Sequence, residues 1–178
     1  MDLEIRRISS SSLCCLLVRT EYSTGVFTLS YLEESGAPEV VITSSAAWTK
    51  GPTALTSLQN VFQNVVRSCL VPHEKFSFRI EVLITRDAGI FSVLDLVSSG
   101  VSASLLLGRA PLVDTPISYV ERFSKGAIWI SKSHFLNRIV GAYVVGEIDQ
   151  KEVEKSAEKI GNREIERLRR AVEGVLEK

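Results

Sequence analysis

The chain has 178 residues, enough for one well-cored domain and short for a division into two. Apolar residues make up 45% and charged residues 24%, a globular balance that excludes a disordered chain. Basic and acidic residues number 21 each, so no global field draws in nucleic acid, membrane or acidic ligands, and any such partner must be held by a local patch.

The opening MDLEIRRISSSS runs straight into the strand-like LCCLLVRT, without the basic-then-apolar pattern of a signal peptide. The apolar runs fall short of the ~20 residues a membrane span needs. The expectation is a cytoplasmic protein with no membrane partner. Cys14, Cys15 and Cys69 form no CxxC pair, and neighbours on a strand point to opposite faces. They read as small buried hydrophobes rather than zinc ligands or disulfide halves.

Short β-branched runs over 13–20, 26–32 and 39–43, bounded by Gly25 and by Gly36-Ala37-Pro38, predict an antiparallel meander. A helix follows. Pro52 suits its first turn, Leu55, Leu58, Phe62, Val65, Val66 and Cys69 recur at helical spacing, and Pro72 closes it. Strict alternation over 76–85 predicts a half-buried strand with Arg79 and Glu81 on its outer face.

Residues 90–107 are apolar on most sides and rich in small residues, which predicts a central buried helix in close contact with its neighbours. Its serines lie mid-helix, so packing explains them better than a phosphate cradle, which needs free N–H groups at a helix start. Strands are predicted over 117–120, 127–130 and 139–145. A final helix is predicted from Lys151 to about Leu176, with Asp149 as its N-cap and an apolar stripe packed on the domain's own sheet. The fold class is α+β, an antiparallel or mixed sheet covered by helices.

One block carries a resemblance. In Ile80-Glu81-Val82-Leu83-Ile84 a strand leads to the turn Asp87-Ala88-Gly89, then to the small-residue helix from Ser98 to Leu107, then to Gly108-Arg109-Ala110-Pro111-Leu112. This resembles the RNase PH family: bacterial RNase PH, polynucleotide phosphorylase and the ring subunits of the exosome. Looser similarity takes in Leu3 to Ile8, residues 12–32 and the last third of the chain. The resemblance implies a single RNase PH-like domain over 1–178, of the ribosomal S5 domain 2-like kind. It also implies partnership with other RNase PH-like subunits in a ring that threads single-stranded RNA.

The family's activity is phosphate-dependent 3′–5′ exoribonuclease cleavage, which needs cationic or N–H donors around phosphate and an aspartate for acid–base or metal-assisted work. The chain departs from that pattern. The position aligned with the aspartate falls at Ser124-Lys125-Gly126, without a carboxylate, and Ser44 to Gly51 is a poor substitute for a phosphate loop. The chain also reads as shorter than family members after Thr43 and after Val120. The expectation is a non-catalytic subunit of an exosome-like ring in RNA 3′-end processing or degradation, a pseudoenzyme with no catalytic residues, metal ligands or cofactor. The alternatives are an active phosphorolytic enzyme with a rearranged site on Asp87, Asp114 or Asp149, and an interaction module unrelated to RNA that reuses the fold. Asp87 suits a turn or cap better than acid–base work, and His73 and His134 read as solvated or capping.

The most basic window runs from Glu121 to Arg138. Arg122, Lys125, Lys132 and Arg138, with His134, Trp129 and Phe135 among them, suit a single RNA strand through phosphate attraction and base stacking. Arg79 and Arg86 are secondary candidates. The competing reading is a solvated connection with Trp129 in the core.

Overall fold

The computed structural model describes residues 3–8, 14–32, 36–44, 52–71 and 77–177, without the side chains of 52–54. In chain order the elements are β1 (Glu4–Arg7), β2 (Cys14–Arg19), β3 (Thr24–Tyr31), β4 (Glu39–Ser44), α1 (Pro52–Cys69), β5 (Phe78–Arg86), α2 (Ile90–Leu107), β6 (Pro116–Phe123), β7 (Gly126–Ser133), β8 (Ile139–Gly146), α3 (Gln150–Lys159) and α4 (Asn162–Leu176). Leu13, Pro72, His73, Phe76 and the segment 45–51 lie outside the described residues.

Five strands form one sheet in the order β1-β2-β3-β5-β4, and β6-β7-β8 form a second. The predicted meander holds for β2 and β3, and β1 adds a further antiparallel neighbour on the outer edge of β2. It fails for β4. That strand lies at the far edge, parallel to β5, while β5 inserts antiparallel to β3. Parallel neighbours cannot be joined by a hairpin, and α1 supplies the crossover.

Alternation decides which face of the large sheet is covered. Leu16, Val18, Phe27, Leu29, Val40, Ile42, Ile80, Val82 and Ile84 are buried on one side, while Arg79, Glu81 and Leu83 face the other, as the pattern in 76–85 predicts. The helix α2 lies on the buried face. Gly100 lets it approach: a Cβ there would stand 2.2 Å from the Phe27 ring. Its serines reach the second sheet, where Ser98 Oγ accepts the Trp129 indole N–H at 2.9 Å and Ser102 Oγ donates to the Pro116 carbonyl at 2.6 Å. Small residues therefore allow close approach, and their hydroxyls join the two sheets. The 18 residues of α2 are long and apolar enough to cross a membrane, contrary to the sequence expectation, but most of them are buried by protein.

The predicted C-terminal helix is two helices. Ile160 leaves the helical path and packs with Ile128, Ile130, Ile117 and Ala157 in a small second core beneath β7. After Gly161, α4 packs its Ile165 on the second core and its Leu168 in the main core. Asp149 caps α3 as predicted, accepting the Glu152 N–H at 2.8 Å while Glu152 returns to the Asp149 N–H at 3.2 Å.

Candidate nucleic-acid interface

A cleft of about 1040 Å³ opens between the β2–β3 turn, the start of α2, β6 and α4. Local chemistry shapes each wall. Thr20 closes the β2–β3 turn, its N–H on the Ser23 carbonyl at 2.9 Å and its Oγ1 accepting the Ser23 N–H at 3.2 Å. That turn presents Tyr22. Asp87 Oδ1 accepts the Gly89 N–H at 3.2 Å, and Gly89, with φ +114°, starts α2 so that Phe91 and Asp95 meet the cleft. The fourth wall is a run of arginines on one face of α4, Arg163, Arg167 and Arg170, and β6 adds Arg122.

The charges are partly spent. Arg167 grips Asp95 with both terminal nitrogens at 3.2 and 3.1 Å, and Arg170 lies 3.8 Å from Glu166. Among the described residues Arg122 and Arg163 enter no ion pair, so they are the cations free for a ligand. The Tyr22 hydroxyl is held above its ordinary pKa by its hydrogen bond with Glu21, an effect that nearby Arg122 opposes. An exposed phenol, the Phe91 ring and two unpaired guanidinium groups can stack a base and neutralise phosphate.

The sequence candidates do not gather in one place. Arg122 lines the cleft, Lys125 sits at the tip of the same hairpin, and Arg86 ends β5 opposite Thr24, beside the turn that carries Tyr22. Lys132 and Arg138 lie toward the other end of β7, with Lys132 five residues along the strand from the Arg122 row, about 17 Å at the rise of a strand. Lys132 turns toward α3, its ammonium donating to the Ala157 carbonyl at 3.3 Å. Arg79 is paired with Glu39 at 2.8 Å on the outer sheet face. Trp129 is fully buried against Phe62, so of its two readings the core one holds and the base-stacking one does not. Phe135 is exposed, with the His134 ring 4.6 Å from it. His73 lies outside the described residues.

Arg163, Arg167 and Arg170 were missed because α4 reads as a solvated charged face. Their spacing of four and three residues places them on one side of the helix, and that is the signal a closer reading could have used.

The three alternative catalytic carboxylates each hold backbone. Asp87 closes its turn and Asp149 caps α3. Asp114, 2% exposed, accepts the N–H groups of Thr115, Phe135 and Leu136 at 2.7, 3.0 and 2.8 Å. Burial raises its pKa, but these donors and the Ser133 hydroxyl outweigh that and hold it below the usual value. Among the described residues no three His, Cys, Asp or Glu side chains gather as a metal-binding group.

Set against solved structures, the chain matches Rrp46 from rice (Oryza sativa) with a TM-score of 0.74 at 10% identity, over 99% of this chain and 94% of that one. The fold is RNase PH-like. No family model matches the sequence, and no curated protein matches it. The extent of the match corrects one expectation: beside this RNase PH-like neighbour the chain is not short. In the RNase PH-like fold, the resembling block from Ile80 to Leu112 is the packed centre: β5, its turn, α2 and the exit toward β6.

Proposed function

We propose that this chain is a non-catalytic, RNase PH-like subunit of an exosome-like ring, acting with other RNase PH-like subunits in RNA 3′-end processing or degradation. The observation that carries the reading is the near full-length likeness to Rrp46. The structural employment of Asp87, Asp114 and Asp149 supports the non-catalytic half of it, since each already accepts backbone donors. The cleft is the RNA-facing part. Arg122 and Arg163 take phosphates, Tyr22 and Phe91 offer stacking faces, and Lys125 and Arg86 extend the path along the same end of the molecule.

The test uses the purified chain with inorganic phosphate and a single-stranded RNA bearing a free 3′ end. No nucleoside diphosphate is expected, while affinity purification from the native extract should bring down another RNase PH-like chain. Release of diphosphates by the chain alone would refute the non-catalytic reading and favour a rearranged phosphorolytic site.

A further inference from the structure

The five-stranded sheet ends in two edges, β1 and β4. β1 is guarded by charge, with Glu4, Arg6 and Arg7 in its four residues. β4 has no such guard. Its sequence EVVITS holds β-branched residues at every position from Val40 to Thr43, and its one charge, Glu39, is paired with Arg79. Among the described residues no strand takes its outer edge. A segment of high β-propensity and low charge on an open edge is a template for another strand. Side chains of α1 occupy that edge instead. The Val40 N–H donates to Gln63 Oε1 at 2.7 Å, and Gln63 Nε2 donates to the Pro38 carbonyl. One side-chain amide thereby supplies the acceptor and the donor that one residue of a parallel neighbour strand would supply on either side of Glu39. One turn earlier on α1, Gln59 Oε1 accepts the Ile42 N–H at 3.4 Å.

We infer that Gln63 and Gln59 close the β4 edge against strand addition, their amides taking the place of a further strand. The geometry suits the task. Four residues of helix advance about 6 Å and two residues of strand about 6.6 Å, so glutamines one turn apart track alternate N–H groups of β4. The residue type suits it too, because a carboxylate could accept from Val40 but could not donate to Pro38, and an apolar side chain could do neither. Pro38 itself has no N–H to offer a partner. Water can satisfy an edge N–H, so hydrogen bonding alone does not call for these side chains. Water does not exclude a competing strand, and the glutamines do. The guard holds only while α1 is docked, so the helix that makes the parallel crossover also seals the edge that the crossover creates. The inference rests on α1 and β4 and is independent of the RNA reading.

The experiment combines amide exchange with sedimentation velocity on the full chain. Gln63→Met keeps the length and helix propensity of the side chain and removes both bonds. In the parent the Val40 amide should exchange slowly although it lies on an edge. In Gln63→Met it should exchange about tenfold faster, while amides in β3 at the centre of the sheet keep their rates. On incubation at equal concentration the variant should form species larger than those of the parent, from an unchanged far-ultraviolet circular dichroism spectrum. Adding Thr43→Lys, at an exposed position of β4, should return the sedimentation profile to that of the parent, because an edge lysine opposes pairing. Loss of a merely structural contact would not be rescued in this way. Should the double variant fail to fold, exchange and association of Gln63→Met decide. A Val40 amide that exchanges freely in the parent, a Gln63→Met variant no more prone to associate than the parent, or association that Thr43→Lys leaves unchanged would each overturn the inference.

Discussion

The indole N–H of Trp129 donates to Ser98 Oγ at 2.9 Å, with both side chains buried, and Ser98 passes its own hydrogen to the Leu94 carbonyl. This relay joins the centre of the small sheet to α2. Ser98→Ala would strand a buried donor, and the expected loss is about 1–3 kcal/mol in urea unfolding. A change below about 0.5 kcal/mol would mean that the indole finds another partner.

The two helix glycines should behave oppositely. A Cβ at Gly100 meets the Phe27 ring at 2.2 Å, so Gly100→Ala must displace a buried aromatic between sheet and helix. We expect a loss of about 1–3 kcal/mol or more, from overpacking. Gly174 in α4 has nothing within 4 Å of a built Cβ, and Gly174→Ala should stabilise by about 0.5–1 kcal/mol through helix propensity. Thermal melts of the two variants compare them directly; shifts of the same sign would contradict this packing.

Asp114 predicts a dependence on acid. Its folded pKa lies below the unfolded value of about 3.8, so its stabilisation is present above that value and is lost as pH falls through the folded pKa. Asp114→Asn should cost about 1–3 kcal/mol at neutral pH, since the amide loses one acceptor and the charge. Denaturation series of both proteins should converge as the pH falls below about 4. A gap that persists unchanged in acid would assign the loss to something other than ionisation.

Cys69 predicts the opposite limb. Burial is the main cause that pushes its thiol up to about 12 from 9.0, with neighbouring Asp114 adding to the rise and Arg138 opposing it. The unfolded thiol therefore ionises first, and the stability it contributes declines as pH rises past about 9. At pH 8 a thiol reagent should modify the half-exposed Cys15 and leave Cys69 untouched until the chain unfolds. Rapid labelling of Cys69 in the native protein would show that its site opens.

The cleft arginines should separate by role. Arg122→Ala and Arg163→Ala are expected to weaken single-stranded RNA binding, each flattening the logarithmic salt dependence by about 0.7, with little change in melting temperature. Arg167→Ala removes the partner of partly buried Asp95 and should lower stability by about 1–3 kcal/mol. Fluorescence anisotropy over a salt series, with parallel melts, measures both. Equal effects from all three would deny the division.

The amino-acid sequence by itself determined the elements. Period-two alternation in 76–85, helical spacing from Leu55 to Cys69 and the small-residue run in 90–107 act between near neighbours, and each appears where expected. The cap at Asp149 was legible for the same reason, because the donor it satisfies lies three residues away. What joins distant segments was decided only by the tertiary structure. Whether β4 lies beside β3 or beyond β5 depends on the crossover through α1, and nothing in residues 39–44 encodes it locally. The break at Ile160, whose side chain joins the second core, is likewise invisible in the continuous apolar stripe, because its partners Ile117, Ile128 and Ile130 come from distant strands. The basic window shows the same limit. Adjacency along the chain united Arg122 with Arg138, but an extended strand holds them apart, while folding carried Arg163 of α4 to the cleft of Arg122. Local pattern sets what each segment becomes; long-range packing sets which segments share a surface.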